Sequence, residues 1–201
     1  TELQEVEGRK IGELFDKTKI IHDHFLLMAG NGDMREGIQT AKENQLEIKE
    51  YLLNWFAHLV QIPSRKTEVC IVLKGEQGAG KSTIGERVMS TLIGDAKMFI
   101  TGRTDKAFGK FSDLQGKLLC VLNEASGRET HDIDSILKDV ITANIMQIEK
   151  KGIDTVGAID YSNFLFTTNG FNAIKIPKDD RRFIAINCSN EKKNVASYFK
   201  P

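Results

Sequence analysis

The run Val69-Cys70-Ile71-Val72-Leu73 leads straight into Gly75-Glu76-Gln77-Gly78-Ala79-Gly80-Lys81-Ser82, and a helical pattern follows from about Ser82 to Leu92. An apolar strand, a glycine-rich turn and a helix in that order leave few folds open, because the turn obeys G-x-x-x-x-G-K-[ST]. The glycines let backbone N–H groups point inward around an anion. The helix N-terminus adds partial positive charge at the same place. Lys81 is placed to reach β and γ phosphates, and the Ser82 hydroxyl to bind Mg²⁺. With Thr83 closing the motif, residues Gly75 through Thr83 form the candidate nucleotide-binding set. An ordinary glycine-rich turn with an exposed lysine would not need this strand before it and this helix after it.

From Thr67 onward, short apolar runs alternate with helical stretches, which predicts an α/β fold with a mainly parallel sheet. The expected strands are Val69–Leu73, Met98–Ile100, Leu118–Leu122, Phe164–Thr167 and Phe183–Ile186. Helices are expected at about Ser82–Leu92, Asp105–Leu114 and Asp132–Thr142. Between Asn144 and Asp160 the alternation predicts a β-hairpin or a long loop inserted before the fourth strand. Residues 1–65 read as a separate helical region, and 66–201 as a phosphate-loop core. Within the first region, Leu46, Tyr51, Leu52, Trp55, Phe56 and Leu59 share one apolar helical face. Ile11, Leu14, Phe15, Ile20, Ile21, Phe25 and Leu26 suggest further helix, and Ala29-Gly30-Asn31-Gly32-Asp33 a turn.

Bulk composition sets outer limits. The chain has 201 residues and zero formal net charge, so any nucleic-acid surface must be local. Cys70, Cys120 and Cys188 are far apart, and the first two lie in apolar runs, which favours buried thiols over a zinc site or disulfides. No apolar run has the length of a membrane span and no signal peptide is visible, so an intracellular compartment is expected. The chain begins at Thr1 and ends at Pro201, and it is expected to be part of a longer protein.

Two further strand ends carry polar residues. Leu118-Leu119-Cys120-Val121-Leu122 is a buried strand pattern that ends on Asn123-Glu124. Ligands bind at the carboxyl ends of such strands. Glu124 is the candidate for activating a water, with Asn123 and Glu124 beside the Mg²⁺. At Asn123 many triphosphatases have an aspartate, and an amide cannot supply that charge. Asn169, after Phe164-Leu165-Phe166-Thr167-Thr168, is a candidate for the γ phosphate or the attacking water. Arg181 and Arg182, just before the last strand, read as an arginine finger offered to a neighbouring subunit.

The order of these motifs resembles the superfamily 3 helicases, an AAA+ branch, and within them the helicase domain of phage, plasmid and viral primase-helicases. The residues that carry the resemblance are Gly75 to Thr83, Leu122-Asn123-Glu124-Ala125, Ile148-Glu149-Lys150-Lys151-Gly152, Phe166-Thr167-Thr168-Asn169 and Asp180-Arg181-Arg182-Phe183. The approach Tyr51-Leu52-Leu53-Asn54-Trp55-Phe56-Ala57-His58 matches as well, so the likeness covers about residues 45 to 190. It implies an AAA+ core and an ATP-hydrolysing, hexameric ring that translocates on single-stranded or forked DNA during replication. It implies ATP and Mg²⁺ as ligands, Lys81 and Ser82 in motif A, Glu124 in motif B and Asn169 in motif C. Arg181 or Arg182 falls at the finger, and Lys150 with Lys151 near a DNA-contacting hairpin. Residues 1–65 would form the collar of the ring, and the host cytoplasm would be the compartment for a phage or plasmid product.

Lysine contact with phosphate is salt-sensitive and blind to sequence, as a translocating motor needs. Lys106 and Lys110 are weaker DNA candidates, and His22 and His24 show no metal spacing. Two other readings compete: a small-molecule phosphate-loop kinase, and a non-catalytic DNA-binding or oligomerisation module clamped by ATP.

Overall fold

A computed structural model of the chain describes residues 18–30, 38–108, 113–123, 130–150, 153–169 and 180–199. Helix α1 spans 18–28 and α2 spans Ile38–Gln61. Strand β1 (Cys70–Lys74) follows, then a helical stretch from Lys81 through the wide-turned π segment Thr83–Val88 into α3 (Met89–Ile93). Next come β2 (Met98–Thr101), α4 (Thr104–Phe108), β3 (Leu119–Asn123) and α5 (Thr130–Thr142). The chain continues with β4 (Ile145–Lys150), β5 (Ile153–Ile159), β6 (Asn163–Thr168), β7 (Phe183–Asn187) and the short α6 (Ala196–Phe199).

Five strands form one parallel sheet in the order β2-β3-β6-β1-β7. The sequence-predicted α/β class and all five strands hold. Strand β1 lies between β6 and β7, and its first four residues are buried on both faces. Side-chain alternation splits the core in two. Ile71, Leu73, Leu119, Val121 and Leu165 face one side, where Phe25, Met28, Leu52, Trp55, Phe56 and Leu59 of α1 and α2 cover them. Cys70, Val72, Cys120, Leu122, Phe164 and Phe166 face the other side and meet Leu137 and Ile141 of α5. The sheet is therefore covered by helices on both faces, as a parallel sheet requires.

Some expectations change. Leu46 and Tyr51 are exposed at 53% and 39%, so the apolar face of α2 is narrower than read. Leu52, Trp55, Phe56 and Leu59, at spacings of three and four, make the stripe that reaches the sheet. Ile20 is likewise exposed, while Phe25 is buried. Ile11, Leu14, Phe15 and the turn residues Asn31 to Asp33 lie outside the described residues. The hairpin expected between Asn144 and Asp160 is present as the antiparallel pair β4–β5.

A buried ion pair anchors the base of that hairpin. Lys66 Nζ meets Asp160 Oδ2 at 2.8 Å, with both side chains almost fully buried. Lys66 also donates to the carbonyls of Val140 and Ala143, where α5 ends. A cation there complements the negative end of the helix dipole. Asp160 Oδ1 accepts from the Ser162 backbone N–H and hydroxyl. Burial pushes the Lys66 ammonium below its ordinary pKa, and Asp160 opposes part of that shift. Removing one partner of such a pair strands the other charge, at a cost of about 3–5 kcal/mol. Lys66→Met is expected to lower the unfolding free energy by that order in urea titration. A loss below about 1 kcal/mol would show that Asp160 is satisfied without it.

Candidate functional site

The glycine-rich loop leaves the carboxyl end of β1 and turns back at once into the helix that begins at Lys81. Its start is tied to β6, since the Gly75 N–H donates to the Thr168 carbonyl at 3.1 Å. Gly78 and Gly80 have φ of +84° and +90°, which side chains with a Cβ rarely adopt. A Cβ at Gly78 would also lie 2.3 Å from Asn194 Oδ1, so the loop is backed by the segment after β7.

Lys81 turns inward, with 6% of its surface exposed. Its Nζ donates to the carbonyls of Gly75 and Glu76 and to Asn169 Oδ1, each at 2.8 Å. The ammonium thus sits between the loop and the end of β6. In front lies a cavity of about 640 Å³ lined by Gln77, Gly78, Gly80, Lys81, Ser82, Thr83, Gly102, Asn123, Thr167 and Asn169. That volume is in the range of small-ligand and cofactor sites.

Thr167 Oγ1 donates to Asn123 Oδ1 at 2.8 Å, and Asn123 Nδ2 donates to Glu86 Oε1 at 2.5 Å. The ends of β3 and β6 are thereby linked to the helix after the loop. Among the described residues, no group of three or more His, Cys, Asp or Glu gathers to hold a metal. The cavity instead offers the oxygen donors of Ser82, Thr83, Asn123 and Thr167. Oxygen donors suit Mg²⁺, which keeps several waters and takes few protein ligands alongside phosphates.

The loop has a second support behind it. His24 of α1 is 5% exposed, and its Nε2 lies 3.0 Å from the Gly80 carbonyl, in hydrogen-bond contact. Its Nδ1 lies 3.4 Å from the Tyr198 hydroxyl. Burial pushes His24 below its ordinary pKa of 6.5, and the Gly80 contact opposes this in part.

Several sequence-predicted residues therefore meet at one place: the loop from Gly75 to Thr83, Asn123 and Asn169. Within it, Ala79 is buried, and Glu76 pairs with Lys193 and accepts from Asn190 Nδ2. Glu124, Lys110 and Lys151 lie outside the described residues. Lys150 closes β4 and is in register with Ile153 at the hairpin end. Lys106 is exposed on α4.

Arg181 and Arg182 are at the other end of the sheet. The Arg182 carbonyl accepts from the N–H of Cys70, the first residue of β1. Arg182 is held bidentately by Asp180, Nε to Oδ1 and Nη2 to Oδ2, both at 2.8 Å. That guanidinium keeps the Asp180 carboxyl below its usual pKa. Arg181 is exposed.

Thr167, Gly102, Glu86 and His24 were not read as site residues. A signal existed for Glu86, four residues after Ser82 on one helix, and for Thr167, at the end of a buried strand. None existed for His24, whose partner is 56 residues away.

Residues 73–182 match a family described as a family of unknown function, DUF5906. The chain belongs to that family. A curated relative, the DNA primase-polymerase of Nitratiruptor phage NrS-1, is 31% identical over 148 residues, 69% of this chain. The chain spans only 19% of that relative's length. Two apo structures of the NrS-1 C-terminal region superpose on it. One, of residues 305–718, has a TM-score of 0.70 at 24% identity and covers 90% of this chain and 42% of the other. A second, the A form, gives 0.68 at 24% identity, with 90% and 41% covered. At such identity the likeness shows a shared fold.

These findings correct the helicase expectation. The matching family is DUF5906 and not the superfamily 3 helicases, and the curated relative is named for priming and polymerisation. The ATP-hydrolase activity and helicase function read from the motif order fall with it. The physical reason is that a glycine-rich loop beside polar strand ends constrains local geometry and not the reaction, and Glu124, on which the hydrolase expectation rested, lies outside the described residues. Among those described, no helix is long and apolar enough to cross a membrane.

The His24 contact has a measurable pH signature. A histidine whose folded pKa is depressed adds stability above its unfolded pKa, and loses it as pH falls through the folded value. Unfolding free energy is therefore expected to decline as pH drops below about 6.5. His24→Asn should flatten that decline in urea titrations at several pH values. An identical decline in the variant would assign it to another group.

Proposed function

We propose that this chain is the nucleotide-holding part of a DNA replication protein of the primase-polymerase kind. The loop takes the triphosphate of a nucleoside triphosphate, ATP being the candidate, together with Mg²⁺. The observation that carries the reading is the Lys81 ammonium, fixed by three oxygens at the edge of a 640 Å³ cavity between loop, helix N-terminus and strand ends. A loop and helix N-terminus at the carboxyl end of a parallel sheet support a phosphate-loop reading.

Within the proposal, the loop N–H groups and Lys81 bind the phosphates. Asn169, already bonded to Lys81, orients that amine toward the outermost phosphate. Ser82 and Asn123 would hold the metal, with Glu124 beside them. Mg²⁺, when bound, supplies charge neutralisation across the phosphate oxygens. Single-stranded or forked DNA is the macromolecular partner, met by Lys150 and Lys151 at the hairpin end. Further copies of the chain are partners too. Residues 1–65 would supply contacts between copies and 66–201 the nucleotide core. The exposed Arg181, at the far end of the sheet, is the cation that a neighbouring copy's triphosphate would meet. The compartment in this reading is intracellular. The relative's name, DNA primase-polymerase, supports the process, and the loop geometry supports the ligand.

A reciprocal pair of variants tests the assignment. Lys81→Ala should weaken binding of a fluorescent ATP analogue by at least about tenfold, the size of one lost charge-assisted hydrogen bond, and keep single-stranded DNA binding. Lys150→Ala with Lys151→Ala should keep the nucleotide and weaken DNA binding, with a flatter salt dependence. Unchanged nucleotide affinity in Lys81→Ala would overturn the phosphate-loop reading.

A further inference from the structure

The end of β3 carries an amide where a carboxylate would serve a metal-bound triphosphate, yet a carboxylate is present one contact away. Glu86 Oε1 lies 2.5 Å from Asn123 Nδ2. A carboxylate only accepts hydrogen bonds, so the amide nitrogen must face it. The Asn123 oxygen is then turned toward Thr167, whose hydroxyl donates to it at 2.8 Å, and Asn123, Thr167 and Ser82 all line the cavity. The carbonyl-type oxygen keeps a second lone pair.

Helix placement makes this contact possible. A Cβ at Gly85 would stand 2.5 Å from Leu165 Cδ2 and 3.3 Å from Val121 Cγ2. The bare backbone of Gly85 lets the helix lie against Leu165 and Val121 without displacing those side chains, and the next residue is Glu86. The stretch Thr83–Val88 has wide π turns, a local geometry frequent at functional sites.

We propose that Glu86 supplies from the helix the negative charge that the strand end lacks at Asn123, and locks the Asn123 oxygen toward the cation of a bound metal–triphosphate. Glu86 is a positioning residue here, and the inference rests on the nucleotide reading above. The pair Glu86–Asn123 carries one negative charge, the same total as an aspartate at 123 with a neutral partner at 86. Moving a carboxylate onto the strand while Glu86 remains replaces a hydrogen bond by two like charges in contact. Restoring the missing aspartate alone is therefore harmful, and exchanging the charge between the two positions repairs it.

The experiment measures the Mg²⁺ dependence of binding of a fluorescent ATP analogue, with EDTA as the metal-free arm, in Glu86→Gln, Asn123→Asp and the double variant. Urea unfolding without nucleotide runs in parallel. Removing a hydrogen-bond partner that orients a metal ligand typically costs about 10–100-fold in metal affinity. Glu86→Gln should raise the Mg²⁺ concentration needed by roughly tenfold or more, with EDTA-state binding unchanged. Asn123→Asp should also weaken the Mg²⁺ response, and the double variant should recover most of it. If a single variant fails to fold, the double variant, with the wild-type charge, decides. An unaltered Mg²⁺ response in Glu86→Gln, a stronger one in Asn123→Asp alone, or no recovery in the double variant would overturn the proposal. Retained nucleotide binding in Lys81→Ala would instead remove the nucleotide reading itself, so the two failures are distinct.

Discussion

The Lys81 ammonium ties the glycine-rich loop to the end of β6, 88 residues further along the chain. It closes the loop on itself through Gly75 and Glu76, and it holds the end of β6 through Asn169. A buried amine must satisfy its donors, so the loop cannot open without breaking contacts worth about 1.5–3 kcal/mol each. Everything around it maintains that geometry. β1 delivers the loop from the middle of the sheet, Asn194 fills the space behind Gly78, and His24 contacts the Gly80 carbonyl. Two distant segments, α1 and the stretch after β7, thus brace one glycine-rich loop.

Parallel topology decides which residues share the site. All five strands run the same way, so their carboxyl ends gather Lys74, Asn123 and Thr168 at one edge. Arg181 and Arg182 precede β7 and are carried to the opposite edge. The same topology explains why motif order misled the reading of activity. Strand ends arranged around a triphosphate are common ground for several chemistries, and membership in DUF5906, with a relative named as a primase-polymerase, points away from unwinding.

Much of the fold was legible in the sequence, for a physical reason. Strands such as Leu119–Asn123 are buried on both faces and read as unbroken apolar runs. The loop was legible because glycine, lysine and serine at fixed spacing have few other uses. What escaped depends on tertiary contact. Leu46 and Tyr51 fit a helical period, but the sheet meets only the stripe from Leu52 to Leu59. Lys66 reads as a polar linker residue, yet it is buried against Asp160, 94 residues away. Glu86 lies 37 residues from Asn123, so its spacing from Ser82 places it on the helix but does not give its contact with Asn123.

The account stands on the claim that the loop from Gly75 to Thr83 is an anion cradle for a nucleoside triphosphate. Backbone amide NMR of the ¹⁵N-labelled chain, titrated with ATP and Mg²⁺, tests that most directly. The largest shifts should fall on the amides of Gly78, Ala79, Gly80, Lys81, Ser82 and Thr83, with smaller ones at Asn123 and Asn169. Shifts that leave those loop amides unmoved, or that cluster elsewhere on the sheet, would contradict it.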